Sequence, residues 1–324
     1  MKRLALVLVV ASCAACSMTE DPGASSAQSP SPSLADTTGA TSPSTTTSPS
    51  ETSKPDRPVR FDGDRAFADV RTLAGRIGPR EATSDAFTRA AALVHKRFDR
   101  LGYEVSRQRF RVPAGNSWGI DVPSGMSSNV VAAPPGFDEN ERYLIVGAHL
   151  DTVPQAPGAE DNASGVSVVM ELARVAASEA TRLPVIFVAF GAEEPRGEGD
   201  DWHHFGSQAF TARMTPAERR NLVAMVALDR VGVGSAVPIC GGGLTNAPVV
   251  SDLRAAARRA NVPFSSCGLN QSSDHWSFER AGLPAARLGS TAYAAYHDAS
   301  DVPNVVSTRQ LQRTGDVAWE FISR

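Results

Sequence analysis

Four cysteines, four tryptophans and four tyrosines are few for a chain of 324 residues. Cys240 and Cys267 stand in no CxxC spacing, which argues against a cysteine-built structural zinc site. Basic charge is not in excess: 32 Lys and Arg face 35 Asp and Glu, a formal net charge of -3. With no basic face evident, a nucleic-acid partner is not expected. No period of 20 to 50 residues repeats, which excludes solenoids and propellers. The glycine run Gly241 to Gly243 has no Lys-Ser or Lys-Thr after it and reads as a turn, not a phosphate cradle. The apolar run at the start, Leu4 to Ala11, is too short to span a bilayer.

That run is instead read as part of a targeting segment over residues 1–16. Lys2 and Arg3 give it a basic start, and Ser12-Cys13-Ala14-Ala15-Cys16 supplies small residues before a cysteine. It resembles a bacterial lipoprotein signal, with a lipid anchor on Cys16 or on Cys13; the alternative is an ordinary secretory leader with incidental cysteines. Residues 17–57 are dominated by Ser, Thr, Pro, Ala, Gly and Asp, with Met18 and Leu34 as the large apolar residues. Such a stretch buries too little surface to offset its ordering entropy, and it reads as a disordered tether. The expected location is outside the cell, at the membrane or secreted. Residues 58–324 are long and apolar enough for one α/β domain, expected to be monomeric. An exported domain allows Cys240 and Cys267 to pair, or leaves them as two buried thiols.

Apolar residues at helical spacing predict helices over 84–101, 164–178, 207–214, 247–260, 275–282 and 307–323. Runs at 103–112, 128–133, 143–148, 184–190, 223–228 and 284–289 read as strands. Their alternation with helices predicts a three-layer α/β/α sandwich around a mixed, mostly parallel sheet.

His149, Asp161, Glu194, Asp229 and His297 each fall at or just after the end of an apolar run. In an open α/β sheet, such residues gather at the carboxyl ends of the strands. A pair of divalent metals needs nitrogen and oxygen ligands from several strands, plus a carboxylate left free to handle protons. Glu193, beside Glu194, is that spare acid. The carboxylate of Asp151 is placed to accept the other ring N–H of His149 and fix its tautomer. Tyr296 is placed to donate to a developing oxyanion. Taken singly, each is more often a capping, turn or solvated residue; the argument rests on their order. Trp202, His203, His204, His275 and Trp276 are read either as cleft lining or as loop packing.

The segments GAHLDTVPQAPGAEDNASG, FGAEEPRG, ALDRVG and YHDASD resemble those of the co-catalytic di-zinc aminopeptidases of secreted bacterial enzymes. Relatives of that family include glutamate carboxypeptidase, the transferrin-receptor ectodomain and animal glutaminyl cyclase. The likeness runs from about Pro58 to Arg324 and includes Gly78-Pro79-Arg80 and Ser273-Asp274-His275. It implies the zinc-peptidase, phosphorylase/hydrolase-like fold and two zinc ions. His149 and Asp229 would hold one, Glu194 and His297 the other, and Asp161 would bridge them. By the same resemblance Glu193 is the general base, Asp151 the acid behind the ligands and Tyr296 the oxyanion-side tyrosine, and a cis peptide follows Asp161. The substrates implied are peptides with a free N-terminus. Two departures stand out: Val302 follows Asp301 where threonine is common, and Arg230 replaces an apolar residue, an expectation that it narrows or polarises the pocket. The alternatives are a glutaminyl cyclase with one zinc, a non-catalytic ectodomain, and a dipeptidase or carboxypeptidase.

Overall fold

The computed structural model describes residues 58–324. The expected leader, Cys13, Cys16 and the tether lie outside the described residues. Asp62 caps α1 (Gly63–Val70) by accepting from the backbone N–H groups of Asp64 and Arg65, and a wide helical turn, Arg71–Ile77, continues it. Ser84 accepts from the N–H of Phe87 to cap α2 (Asp85–Arg100), whose buried stripe is Phe87, Ala90, Ala91, Val94 and Phe98. Strands β1 (Glu104–Val112), β2 (Gly115–Ser117), β3 (Ile120–Val122) and β4 (Gly125–Ala133) come next. They are followed by β5 (Tyr143–His149), α3 (Gly165–Ala176), β6 (Val185–Phe190), α4 (Phe205–Arg213), α5 (Pro216–Asn221) and β7 (Leu222–Asp229). The chain ends with β8 (Val237–Gly241), α6 (Ala247–Arg259), β9 (Phe264–Leu269), α7 (His275–Arg280), β10 (Ala285–Gly289) and α8 (Thr308–Ser323).

Eight strands form one mixed sheet in the order β1-β4-β6-β5-β7-β10-β8-β9. The middle of the sheet, β6-β5-β7-β10, is parallel, while β4 joins β6, and β8 joins β10, antiparallel. All residues of β5 and β6 are buried, as expected for strands covered on both faces. Successive side chains divide between two apolar clusters. Leu144, Val146 and Ala148 of β5 join α1, α2, α3, α6 and α8 on one face. Tyr143 and Ile145 join Phe210 of α4 and Phe278 of α7 on the other. These are the three layers that the alternating pattern predicts.

The strands β2 and β3 pair only with each other, forming a hairpin apart from the main sheet. Its turn, Trp118-Gly119, takes left-handed backbone at both positions, φ 50° and 87°. Arg196 fastens the hairpin at both legs by donating to the carbonyls of Pro113 (2.8 Å) and Pro123 (2.7 Å). At the opposite edge, a disulfide joins Cys240 in β8 to Cys267 in β9, with Cα atoms 5.3 Å apart.

Candidate metal centre

Parallel strands end on the same side, and the chemistry collects there. His149 closes β5 and Asp229 closes β7; Glu193 and Glu194 lie just past β6; His297 sits in the loop after β10. Asp161 comes from a kinked turn, Ala159–Ser164, that feeds α3. The peptide between Asp161 and Asn162 is cis, as the resemblance implies. All five expected ligands and Glu193 are buried and face one another.

The two oxygens of Asp161 point different ways. Oδ1 lies 3.1 Å from His149 Nε2, and Oδ2 lies 3.2 Å from His297 Nε2. His149 Nε2 is also 3.6 Å from Asp229 Oδ1, and His297 Nε2 is 3.3 Å from Glu194 Oε2. Three trios bring ligand atoms close enough for a metal ion; two of them share the Asp161 carboxylate, namely His149, Asp161 and Asp229, and Asp161, Glu194 and His297, and the third is His149, Glu193 and Glu194. Glu193 belongs to neither of the trios that share Asp161; its Oε2 is 3.8 Å from His149 Nε2, and its Oε1 is 3.2 Å from His204 Nε2.

Buried residues behind the trios hold them in place. Asp301 accepts from the N–H groups of Glu160 (2.9 Å) and Asp161 (3.1 Å) and from the hydroxyl of Tyr293 (3.0 Å). Asp301 makes these contacts although Val302, not threonine, follows it. Arg80, wholly buried, donates to the carbonyls of Leu150 (2.6 Å), Pro157 (2.6 Å) and Gly158 (2.9 Å), bracing the loops on either side of the site.

Asp151 acts differently from the sequence expectation. His149 Nδ1 faces the backbone carbonyl of Asp151 at 3.2 Å, and the nearest carboxylate oxygen is 3.9 Å away. The carboxylate instead accepts from the N–H groups of Glu193 (3.0 Å) and Glu194 (3.1 Å). The physical reason is that the β6 loop turns inward here, and its two buried N–H groups need an acceptor.

The cavity over the centre is about 80 Å³ and includes Trp118, Pro195, His203, His204, Arg230 and Tyr296 in its lining. Trp118 packs edge-on to the His297 ring, 4.4 Å between centroids; Tyr296 stacks on the same ring at 3.7 Å. Arg230, the basic departure, lies over the Tyr296 ring at 4.5 Å. His275 and Trp276 serve packing: His275 Nε2 meets the carbonyl of Asn270 at 2.7 Å, and Trp276 Nε1 donates to Asp200 Oδ2 at 3.0 Å. Trp202 is exposed and outside the cavity lining. Sequence reasoning missed Trp118 and a second arginine, Arg287, whose Nη2 is 3.0 Å from Asp229 Oδ2.

The residues present fit a pair of dications. Glu194 Oε1 and Asp229 Oδ1 are buried without a hydrogen-bond partner. Burial, then the nearby carboxylates of Asp161 and Glu193, push the Glu194 carboxyl well above its ordinary range. Burial would also raise Asp161, but hydrogen bonds from His149 and His297 hold it far below that range. Buried, mutually repelling acids with imidazoles between them form the nitrogen and oxygen donor set that zinc accepts.

Comparison with known proteins agrees. Aminopeptidase YwaD of Bacillus subtilis is 33% identical over 204 residues, covering 59% of this chain and 43% of that protein. This chain therefore spans less than half of that relative's length. A zinc aminopeptidase structure from Bacillus subtilis superposes with a TM-score of 0.72 at 20% identity, over 82% of this chain and 95% of the other. The glutaminyl cyclase of Fimbriiglobus ruber superposes with a TM-score of 0.71 at 26% identity, over 85% and 99%. The model of "Peptidase family M28" matches residues 129–322, a span that takes in every residue of both trios. With its sequence, its sheet and its paired zinc-type donor sets in accord, this chain belongs to peptidase family M28, the zinc peptidases.

Proposed function

We propose that the chain is a metallo-aminopeptidase that removes N-terminal residues from peptides and uses two zinc ions. The supporting observation is the division of Asp161 between two trios, with Glu193 beside them and held by His204. Zinc held there would supply Lewis acidity, polarising the scissile carbonyl and lowering the pKa of a water. Glu193 takes the proton from the attacking water and passes it to the departing amine. His204 holds one oxygen of Glu193, leaving the other turned toward His149. Tyr296, at the cavity wall, is placed to donate its hydroxyl proton to the oxyanion. The buried acids attract the ammonium of a free N-terminus, which favours cleavage at that end.

A cyclase is the second reading, favoured by the 26% identity to a glutaminyl cyclase of the same fold. The test is incubation of the zinc-loaded protein with defined peptides, with products read by mass spectrometry. Stepwise loss of N-terminal residues is expected. Loss of ammonia from N-terminal Gln would move the assignment to the cyclase, release of C-terminal residues to a carboxypeptidase, and no product with zinc bound to a binding module. Glu193→Gln should slow turnover by about 10²–10⁴-fold with zinc content intact; full activity would remove Glu193 as the base.

A further inference from the structure

The cavity over the metal centre has a wall poorly suited to aliphatic side chains. Apart from the metal donors, Glu193 and two further histidines, its lining is Trp118, Pro195, Arg230, Ser272 and Tyr296. Among the described residues of that lining, Pro195 is the one aliphatic side chain and Arg230 the one guanidinium.

This guanidinium is surplus to the pairing of the metal donors. Asp229 already has an arginine partner: Arg287 Nη2 lies 3.0 Å from Asp229 Oδ2 and donates to the carbonyl of the same residue at 3.2 Å. Arg230 Nε is 3.9 Å from Asp229 Oδ1, too far for a hydrogen bond. Its Nη2 donates to Ser290 Oγ at 3.4 Å, and among the described residues its Nη1 donates to nothing. The group is nevertheless held in place, over the Tyr296 ring and with its side chain only 13% exposed. A fixed guanidinium with unused donors is a ready receptor for a carboxylate, which it grips through two parallel N–H bonds.

Charge and size point the same way. Two dications would offset the four carboxylates of the lining, Asp161, Glu193, Glu194 and Asp229, and leave Arg230 as its unbalanced charge. At about 80 Å³ the space suits one short side chain, not a length of peptide, so the group that meets Arg230 belongs to a terminal residue. We propose that Arg230 selects peptides whose N-terminal residue is acidic, glutamate or aspartate. The proposal rests on the aminopeptidase reading above and names its substrate class. The side-chain carboxylate takes the unused N–H groups of Arg230 while the ammonium turns to the buried acids. Leucine in that place leaves the guanidinium against hydrocarbon with its donors unpaired, and that cost sets the discrimination.

The test uses the zinc-loaded, full-length protein and peptides identical except at the first residue, which is Glu, Asp, Gln, Leu or Lys. Glu and Asp should be released with kcat/KM about ten- to a hundredfold above Gln and Leu. Arg230→Met should bring Glu down to the level of Gln; should that variant fail to fold, Arg230→Gln carries the same expectation. A second readout needs no turnover. By calorimetry, free L-glutamate should bind the wild type about tenfold more tightly than L-glutamine, or better, and the folded variant should bind the two alike. Faster release of Leu than of Glu, or a Glu-to-Gln ratio that the folded variant leaves unchanged, would overturn the proposal and leave an aminopeptidase standing. Faster cleavage of Leu-Ala than of its C-terminal amide, with Glu and Gln peptides cut alike, would give Arg230 to a C-terminal carboxylate and overturn it too. No N-terminal release from any peptide would remove the aminopeptidase reading; equal binding of glutamate and glutamine would remove the proposal whether or not peptides are cut.

Discussion

Replacing Asp151 by asparagine tests which partner that carboxylate serves. Its two oxygens accept from the N–H groups of Glu193 and Glu194 at 3.0 and 3.1 Å, with the side chain fully buried. Asparagine keeps one acceptor oxygen and turns an NH2 toward the second N–H, so one buried donor loses its partner. That costs about 1–3 kcal/mol, and weakening the surviving bond from charged to neutral adds about 1 kcal/mol. The sum, about 2–4 kcal/mol, corresponds to a fall in Tm of roughly 4–8 °C for a domain of this size. Because both N–H groups belong to the loop that aims Glu193 and Glu194, turnover and the affinity of the Glu194 zinc position should fall together. The assay is thermal unfolding of the metal-free protein, followed by zinc titration. If the metal-free variant melts within about 1 °C of wild type and only the His149 position weakens, the carboxylate serves the imidazole instead. The account given above would then be wrong.

Three further outcomes are expected. Burial raises the Asp69 carboxyl from 3.8 to about 6, against the pull of Arg97; its stabilising contribution is complete below about pH 4 and is lost as pH rises through about 6. Asp69→Asn should therefore gain on wild type between pH 4 and 7, by up to about 3 kcal/mol, and a Tm difference that does not vary with pH would contradict this. Gly289 has φ 111°, and a Cβ there would run into the carbonyl of Asp229. Gly289→Ala should thus cost about 1–3 kcal/mol and weaken the His149–Asp229 zinc position, whereas unaltered zinc binding and Tm would refute the clash. The disulfide closes a sequence separation of 27 residues, so a Cys240→Ala, Cys267→Ala protein should lose about 3 kcal/mol by denaturant unfolding. Identical stability with and without the bond would count against it.

The centre of this molecule was legible because its parallel strands leave unbroken apolar runs. Tyr143 to Ala148 and Val223 to Leu228 end at His149 and Asp229 in sequence as they do in space. The edges were harder to read. β8 contains Pro238, which weakens a strand reading, and β9 is Phe264–Leu269, largely exposed and short of apolar alternation. The six-residue α5 offers too little periodicity, although Thr215 and Glu218 form a capping box before it. In the site, residue types that bind metal announced themselves, while those that act through direction did not. Whether the Asp151 side chain faces an imidazole or two amides depends on how the β6 loop turns. Arg287 reads as an interruption of an apolar strand until β7 and β10 are paired in register, Leu288 beside Leu228 and Gly289 beside Asp229. Trp118 lies on a hairpin outside the main sheet, which no strand order anticipates.

The donors come from the ends of three separate strands, a turn before a helix and a loop near the C-terminal helix. Such a centre has no counterpart in any short stretch of the nascent chain. Until β10 has docked, the loop-closure entropy of bringing His297 to Asp161 opposes any gain from coordination. Zinc can thus staple a finished sheet but cannot nucleate one. Stripping it should leave a folded apoprotein with its strand order intact, unlike a zinc finger, whose fold disappears with the metal.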